Sequence, residues 1–195
     1  RCCASSSTSR SSALKVDSRL VGAARAAGAA RAVALGSRWI ACTDADTRVA
    51  PDWLAAQLLL DADAVCGLIS VDDWSEHSDE VRLAFLQRYN DADGHRHIHG
   101  ANMGFSTEAY LRAGGFAPLS VSEDVSLVHA LAGSGARIAW SAAPRVMTSA
   151  RLESRARGGF ADYLRDLGEH HTVIVEEGAS GSVSYAMNAP IDTDC

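Results

Sequence analysis

Residues 38–46 read Arg-Trp-Ile-Ala-Cys-Thr-Asp-Ala-Asp, and this stretch decides the fold class. Its first part, Arg38–Thr43, is short, largely apolar and rich in strand-forming residues, which predicts a buried β-strand. On the amino side, the alanine-rich segment Ser18–Leu35 predicts a helix. On the carboxyl side, Pro51 suits the first turn of a helix over Asp52–Asp61. Helix, buried strand and helix in this order indicate an α/β fold.

The rest of the chain continues the alternation. We predict further strands at Ala64–Val71, Ile98–Phe105, Arg137–Trp140 and Arg145–Thr148, and further helices at Ser78–Asn90, Ser106–Ala113, Asp124–Ala132 and Phe160–Leu167. Strands in such folds are covered by helices on both faces. Ligands bind beyond the carboxyl ends of the strands, so we expect the site at the turns after Thr43, Val71 and Phe105.

Composition limits the classes of function. The chain has 195 residues and a net charge of −6, which suits one domain and argues against a general nucleic-acid binder. Apolar runs are too short to cross a membrane, so we expect no transmembrane segment. Five cysteines without metal-ligand spacing favour a reducing cytoplasm. We divide the chain into a poorly structured or truncated leader (1–17), a folded domain (18–175) and a tail (176–195).

The tripeptide Asp-Ala-Asp occurs at 44–46, 61–63 and 91–93. Only Asp44-Ala45-Asp46 directly follows a predicted buried strand. Two carboxylates on one turn repel each other unless a cation lies between them. Hard oxygen ligands of this kind suit Mg²⁺ or Mn²⁺ with a diphosphate as further ligand. An acidic cluster that caps the helix after Pro51 is the alternative.

A second constellation lies farther along the chain. Gly100-Ala101-Asn102 enters a predicted strand, Gly114-Gly115-Phe116 follows the next helix, and Glu123-Asp124 opens another. Acids at a helix start also satisfy free N–H groups and the helix dipole, so simple N-capping explains at least one of the pair.

Together these motifs resemble family 2 glycosyltransferases with the GT-A fold, over roughly residues 20–165. The matching residues, in order, are Gly22-Ala23-Ala24-Arg25, Trp39 to Thr47, Pro51-Asp52-Trp53-Leu54, Gly100-Ala101-Asn102, Gly114-Gly115-Phe116 and Glu123 to Leu127. The resemblance implies a GT-A-like, Rossmann-like mixed sheet flanked by helices, with 18–175 as a partial catalytic domain. It also implies an inverting transferase that moves a sugar from a nucleotide-diphosphate sugar to an acceptor hydroxyl of a glycan, lipid or small molecule.

The resemblance also implies roles for residues. Asp46 would bind Mn²⁺ or Mg²⁺ directly, and Asp44 would contact the metal or the donor's ribose. Asp124 would be the general base and Glu123 would position it or the acceptor. Arg25 would assist the donor phosphates, although a solvated helix arginine is an equal alternative. Acceptor binding is assigned to Gly100, Asn102 and Gly115.

The chain departs from this family at its start. The family's first strands, which bind the nucleoside base, have no counterpart, and Ala26 stands where an asparagine often follows Arg25. We therefore expect an N-terminally truncated fold whose exposed sheet edge favours self-association. Two alternatives to catalysis follow: a non-catalytic fragment, and a sugar-binding module that uses the region of Asn102 and Glu123 without turnover.

Histidines and arginines supply the remaining candidates. His95, His97 and His99 alternate, which fits either a transition-metal site or loop histidines beside an acceptor. Of His170 and His171, we take His171 as a third metal ligand, as in some GT-A enzymes. Arg151 and Arg155, ahead of a Gly-Gly helix start, fit either a clamp on the donor phosphates or a basic surface loop. We expect a cytoplasmic location, in solution or at the inner face of the membrane.

Overall fold

The computed structural model describes residues 11–153 and 159–176. Within them it contains six helices and five strands. The helices are α1 (Val21–Ala34), α2 (Trp53–Leu58), α3 (Asp79–Arg88), α4 (Thr107–Arg112), α5 (Glu123–Gly133) and α6 (Phe160–Glu176). The strands are β1 (Trp39–Cys42), β2 (Arg48–Val49), β3 (Ala64–Ser70), β4 (Met103–Ser106) and β5 (Ile138–Met147). This confirms the α/β class. None of the helices in these two ranges is both long and apolar enough to span a membrane.

The strands form one mixed sheet in the order β1-β4-β3-β5-β2. Strands β1 and β3 are both antiparallel to β4, and β3 is parallel to β5. Strands β1, β3 and β5 therefore point the same way, and their carboxyl ends lie along one edge. Strand β1 pairs only with β4 among the described strands, and self-association through its free side stays a prediction.

The direction of β4 corrects one sequence-based expectation. The strand begins at Met103 rather than at Ile98, because residues 99–102 form a turn that Asn102 N closes on His99 O at 2.8 Å. Since β4 is antiparallel to β1, with Cys42 opposite Met103, the turn after Phe105 lies at the opposite edge. The segment that precedes β4 lies beside the end of β1 instead.

Other boundaries also differ. The two strands predicted at Arg137–Trp140 and Arg145–Thr148 are one strand, β5, whose register against β3 shifts between Cys66 and Leu68. Asn102 stabilises this irregularity, because its Nδ2 donates to Leu68 O and to Pro144 O. The two-residue strand β2 was not predicted, and α6 continues to Glu176 beyond the predicted end at Leu167.

Helices cover both faces of the sheet. One core contains residues of α1, α4 and α5 packed on β1, β3 and β4; its fully buried members include Phe105, Leu127 and Leu131. Each such side chain contributes about 1.5–3 kcal/mol through burial. On the other face of the sheet, Gln57 of α2 lies against Gly104. The next residue of β4, Phe105, faces the first core. A separate apolar cluster joins α3 to α6.

Two glycines test this packing in opposite directions. Gly28 lies in α1, and a Cβ added there would meet no atom within 4 Å outside its own helix backbone, so Gly28→Ala should stabilise the fold by up to about 1 kcal/mol through helix propensity. A Cβ on Gly67 would lie 2.3 Å from Pro144 O and 2.4 Å from Asn102 Nδ2. Gly67→Ala should therefore destabilise by about 1–3 kcal/mol. Urea unfolding measures both, and equal effects would contradict the packing at the β3–β5 irregularity.

Candidate active site

A single arginine joins the two acidic motifs. Arg25 on α1 donates from Nη2 to Asp44 Oδ1 at 2.5 Å and from Nε to Glu123 Oε1 at 2.8 Å. Its Nη1 donates to Gly100 O at 3.0 Å. The turn after β1, the segment before β4 and the first turn of α5 thus meet at one guanidinium. The structure thus brings together Arg25, Asp44, Gly100 and Glu123, and their predicted roles in donor binding, acceptor binding and catalysis stay predictions.

Gly100 is held by close contact on both sides. Its N–H donates to Asp124 Oδ2 at 2.7 Å. A Cβ on this residue would lie 2.6 Å from Arg25 Nη2 and 3.2 Å from Asp124 Oδ2. Because no side chain fits between those two groups, glycine is required for the close approach of Arg25 and Asp124.

The first turn of α5 is fixed by its surroundings. The preceding loop packs on the start of α1, where Gly22 N donates to Leu119 O at 2.9 Å and a Cβ would lie 2.1 Å from Ala117 O. Ser122 then takes a left-handed conformation with φ +59° and makes no side-chain capping bond. The helix begins at Glu123, one residue earlier than predicted. Asp124 is its second residue rather than its cap.

The two acids of α5 differ in environment. Glu123 is 6% exposed, and its burial together with the neighbouring Asp124 charge raises the pKa of its carboxyl, while Arg25 opposes this shift. Asp124 is half-buried and accepts a second hydrogen bond at Oδ1 from Val125 N at 2.9 Å. The capping interpretation is therefore partly correct: Asp124 binds one N–H of the helix start, but its other oxygen binds Gly100.

Cys42 is a further neighbour of this site. It ends β1 beside Arg25, and burial raises the pKa of its thiol although Arg25 opposes the shift. The thiol is therefore neutral at pH 7 and adds no charge to the cluster.

Asp46 faces a different space from Asp44. It pairs with Arg151, and both line a cavity of about 340 Å³. The cavity lies at the carboxyl ends of β3 and β5, where Asp72, Glu76 and Thr148 also border it. Arg48, which was not predicted, lines the cavity and pairs with Asp72. Of the other predicted donor and metal residues, Arg155 and the side chain of His171 lie outside the described residues.

The carboxylates of the Asp-Ala-Asp turn are chemically suited to a hard dication. Mg²⁺ needs only one or two carboxylates when phosphate oxygens and water complete its shell. Each of Asp44 and Asp46 is currently neutralised by an arginine. Across the side chains that the structure describes, no group of three or more His, Cys, Asp or Glu residues is arranged to hold a metal.

The residues predicted to bind the acceptor make structural contacts. Asn102 is fully buried; besides its two donated bonds at the β3–β5 irregularity, its Oδ1 accepts from Trp53 Nε1 at 2.8 Å. Gly115 has φ +76°, and a Cβ there would lie 2.8 Å from Tyr110 Oη. These contacts explain the residue types by folding requirements. Acceptor binding by Asn102 and Gly115 stays a prediction.

The imidazoles of His95, His97 and His99 form one stacked group with the ring of Tyr89, which follows α3. Ring centroids of His95 and His97 are 5.5 Å apart, and those of His97 and His99 are 5.8 Å apart. The rings face each other instead of converging on a common point. The three histidines share one face, as expected. Their rings stack as packed aromatic groups usually do.

Fold and site together define the class of protein: an α/β domain with carboxylates and arginines gathered at the carboxyl edge of a mixed sheet. Comparison with models of known protein families found no match for this chain. A search of curated proteins likewise found no significant match. The chemical interpretation of the site therefore rests on its own residues.

Proposed function

We propose that this protein is an inverting, divalent-metal-dependent glycosyltransferase of the GT-A type, which moves a sugar from a nucleotide-diphosphate sugar to an acceptor hydroxyl. The observation that supports this most directly is the position of Arg25 between Asp44 and Glu123. One side chain contacts both the turn that would bind the donor diphosphate and the helix start that would carry the base. A single-displacement transferase needs these two groups on either side of one sugar.

Asp124 is the general base in this proposal. It is half-buried at a helix start, and its hydrogen bonds to Gly100 N and Val125 N fix its orientation. Each carboxylate oxygen retains a lone pair for an acceptor hydroxyl. Removing that proton as the hydroxyl attacks the anomeric carbon, on the side opposite the leaving diphosphate, gives inversion.

Asp46 would hold Mn²⁺ or Mg²⁺ directly, and Asp44 would contact the metal or the donor's ribose. The metal when bound would neutralise negative charge on the leaving nucleoside diphosphate. Arg151 borders the same cavity as Asp46 and would donate to phosphate oxygens. Arg25 contacts both Asp44 and Glu123, so it would hold the donor-binding turn and the start of α5, which carries the base, in a fixed relative position.

Glu123 would act as a positioning residue. Its carboxyl is buried and accepts from Arg25 Nε, so it orients the guanidinium rather than facing an open cavity. Its raised pKa reflects that enclosure. Removing its charge should disturb the alignment of Arg25 more than the proton transfer itself.

The donor end of this proposal is tested by nucleotide binding. Titrating UDP and GDP into the protein by calorimetry, with and without Mn²⁺, should show metal-dependent binding that Asp46→Asn weakens at least about tenfold, because a carboxylate ligand is lost. Asp61→Asn is the matched control: it belongs to another Asp-Ala-Asp tripeptide and is exposed. Binding that is unchanged in Asp46→Asn would contradict the assignment.

A sugar-binding module without turnover is the second candidate. It is favoured by the pairing of both Asp44 and Asp46 with arginines, which leaves neither carboxylate without a cationic partner. In that case the protein would bind saccharides with no requirement for nucleotide or metal. Calorimetry with free sugars in the presence of EDTA distinguishes this candidate from the transferase.

A further inference from the structure

Four aromatic side chains form a continuous group, which we call the histidine stack: Tyr89, His95, His97 and His99. The ring planes of Tyr89 and His97 are nearly parallel, at 3°, with centroids 4.2 Å apart. Tyr89 also stacks on His99, at 5.9 Å. His95 extends the group to Trp140 of β5, whose ring it meets edge-on at 6.0 Å. The stack therefore joins the end of α3, the segment before β4 and β5.

Two of the three imidazoles accept a hydrogen bond from the backbone at one ring nitrogen. Asn90 N donates to His97 Nε2 at 3.1 Å, and His97 N donates to His95 Nδ1 at 3.2 Å. Tyr89 Oη accepts from Ile69 N at 3.0 Å and forms a second hydrogen bond with His99 Nε2, also at 3.0 Å. A backbone N–H can donate a hydrogen bond but cannot accept one, so protonating the ring nitrogen that it binds breaks the bond. The hydrogen bonds therefore require neutral His95 and His97, and His99 is buried with the hydroxyl of Tyr89 at its Nε2.

The surroundings favour the neutral forms. Burial lowers the pKa of all three histidines, and that of His99 reaches about 3. Their proximity to one another lowers the pKa of His97 and His99 further. The other charged and titratable groups around the stack are Asp91, Asp93 and Arg96 on the same segment, Arg145 on β5, and Tyr163 on α6 near Tyr89. Asp93 opposes the shift at His95, but its carboxyl already accepts from Ser141 Oγ and Ala142 N.

The stack connects directly to the candidate active site. His99 precedes Gly100, whose N–H binds Asp124 and whose carbonyl binds Arg25. Tyr89 anchors His99 to the backbone of β3 through the shared hydroxyl. Because Gly100 has no side chain of its own, its position depends on the residues on either side. On the amino side, those are the members of the stack.

We propose that the histidine stack positions Gly100, and through it Asp124 and Arg25, and that it does so only while its three imidazoles are neutral. Acid then releases the segment before β4 ahead of the rest of the fold. The local opening needs no assumption about the reaction; its consequence for catalysis rests on the glycosyltransferase proposed above, where a displaced Gly100 leaves the base without its orienting N–H.

The linkage has a definite sign. A histidine whose folded pKa is below its unfolded value of about 6.5 binds fewer protons when folded. The resulting stabilisation is complete above about pH 6.5 and is lost as the pH falls below it. Each histidine released on opening adds up to about a tenfold rise in the opening constant per pH unit. For His99 this range extends down to about pH 3.

Hydrogen exchange of the Gly100 amide, followed by NMR as a protection factor corrected for intrinsic exchange, tests the positioning. Tyr89→Phe keeps the ring but removes two hydrogen bonds, so protection of Gly100 at about pH 7.5 should fall roughly 4- to 100-fold. Tyr163→Phe is the matched control, since its ring also packs against the apolar cluster that joins α3 to α6 and the substitution likewise removes one phenol hydroxyl. Equal protection in both variants would overturn the proposal.

The same amide tests the requirement for neutral imidazoles. In the parent protein, protection of Gly100 should fall between about pH 6.5 and pH 5 while that of the Leu131 amide, in the core of α5, stays higher. His97→Gln retains an acceptor for Asn90 N but has no proton to gain, so the slope should decrease by up to about one proton. A slope unchanged by His97→Gln, or parallel loss at Gly100 and Leu131, would overturn the proposal. Neither result depends on nucleotide binding, so the outcome is separate from that of the Asp46→Asn titration.

Discussion

Asp124→Asn is expected to lower the turnover number by about 10²–10⁴-fold, the range that general-base catalysis contributes. The substitution keeps the size of the side chain and one oxygen acceptor but removes the ability to take a proton from the acceptor hydroxyl. Donor affinity should change little, because the proposed donor contacts lie with Asp44, Asp46 and Arg151. Initial-rate assays with a panel of nucleotide sugars, together with calorimetric affinities for the nucleotide, separate the two effects.

Stability must be measured beside the rate, because Asp124 also has a structural role. Its two oxygens accept from Gly100 N and Val125 N, and asparagine offers only one oxygen for these two donors. Losing one of the bonds should lower the free energy of unfolding by about 1–3 kcal/mol. A variant that is destabilised by this amount yet turns over at a near-normal rate would identify Asp124 as a structural residue and remove the base from the mechanism.

Glu123→Gln is the comparison variant for this experiment. Glu123 contacts Arg25 and is buried, so its replacement should reduce turnover less than Asp124→Asn does. The amide oxygen still accepts from Arg25 Nε, which keeps the guanidinium close to its position. If Glu123→Gln caused the larger loss of turnover, the roles of the two acids would be exchanged.

The sequence was most informative where local pattern and burial agree. The apolar run before Asp44 predicted β1, and alternation of periodic segments predicted the helices on either side of it. Strand direction was not accessible in this way: residues 98–105 are largely apolar, and nothing in them indicates that β4 is antiparallel to β1. The position of the site near Gly100, rather than after Phe105, follows from that direction.

The contacts of the motif residues depend on packing that the sequence does not show. Arg25 was selected as a phosphate contact, but its link between Asp44 and Glu123 depends on how α1 and α5 pack, which no local pattern encodes. Asn102 was selected for acceptor binding, whereas its amide satisfies carbonyls at the β3–β5 irregularity. The sequence did not show that β5 is one continuous strand, so the irregularity that Asn102 stabilises could not be predicted. Alternate histidines indicated a shared face, but stacking on Tyr89 required the position of α3.

Replacement of Arg25 should have the largest effect on stability. In Arg25→Met the alkyl part of the side chain is retained, but Glu123 is left as a buried carboxylate without its cation. The side chains of this pair are only 13% and 7% exposed, so the loss should cost about 3–5 kcal/mol of unfolding free energy. Asp44 is 43% exposed and can be solvated, so its contribution to this loss is small.

The dependence on pH and on a second substitution identifies the cause. Loss of Arg25 removes an interaction that opposes the burial-driven rise in the pKa of Glu123, so the folded variant binds a proton more readily than the unfolded chain does. Stability of Arg25→Met should therefore increase, relative to the parent, as the pH falls from about 7.5 toward the unfolded pKa of Glu near about 4.3. Arg25→Met combined with Glu123→Gln should recover part of the loss at about pH 7.5, because a neutral amide replaces the unpaired charge. Urea unfolding of the parent, the two single variants and the double variant at both pH values gives the coupling energy directly. Additive effects near neutral pH would mean that Arg25 acts through Gly100 and Asp44 alone, and the bridge between the two acidic motifs would then have no energetic basis.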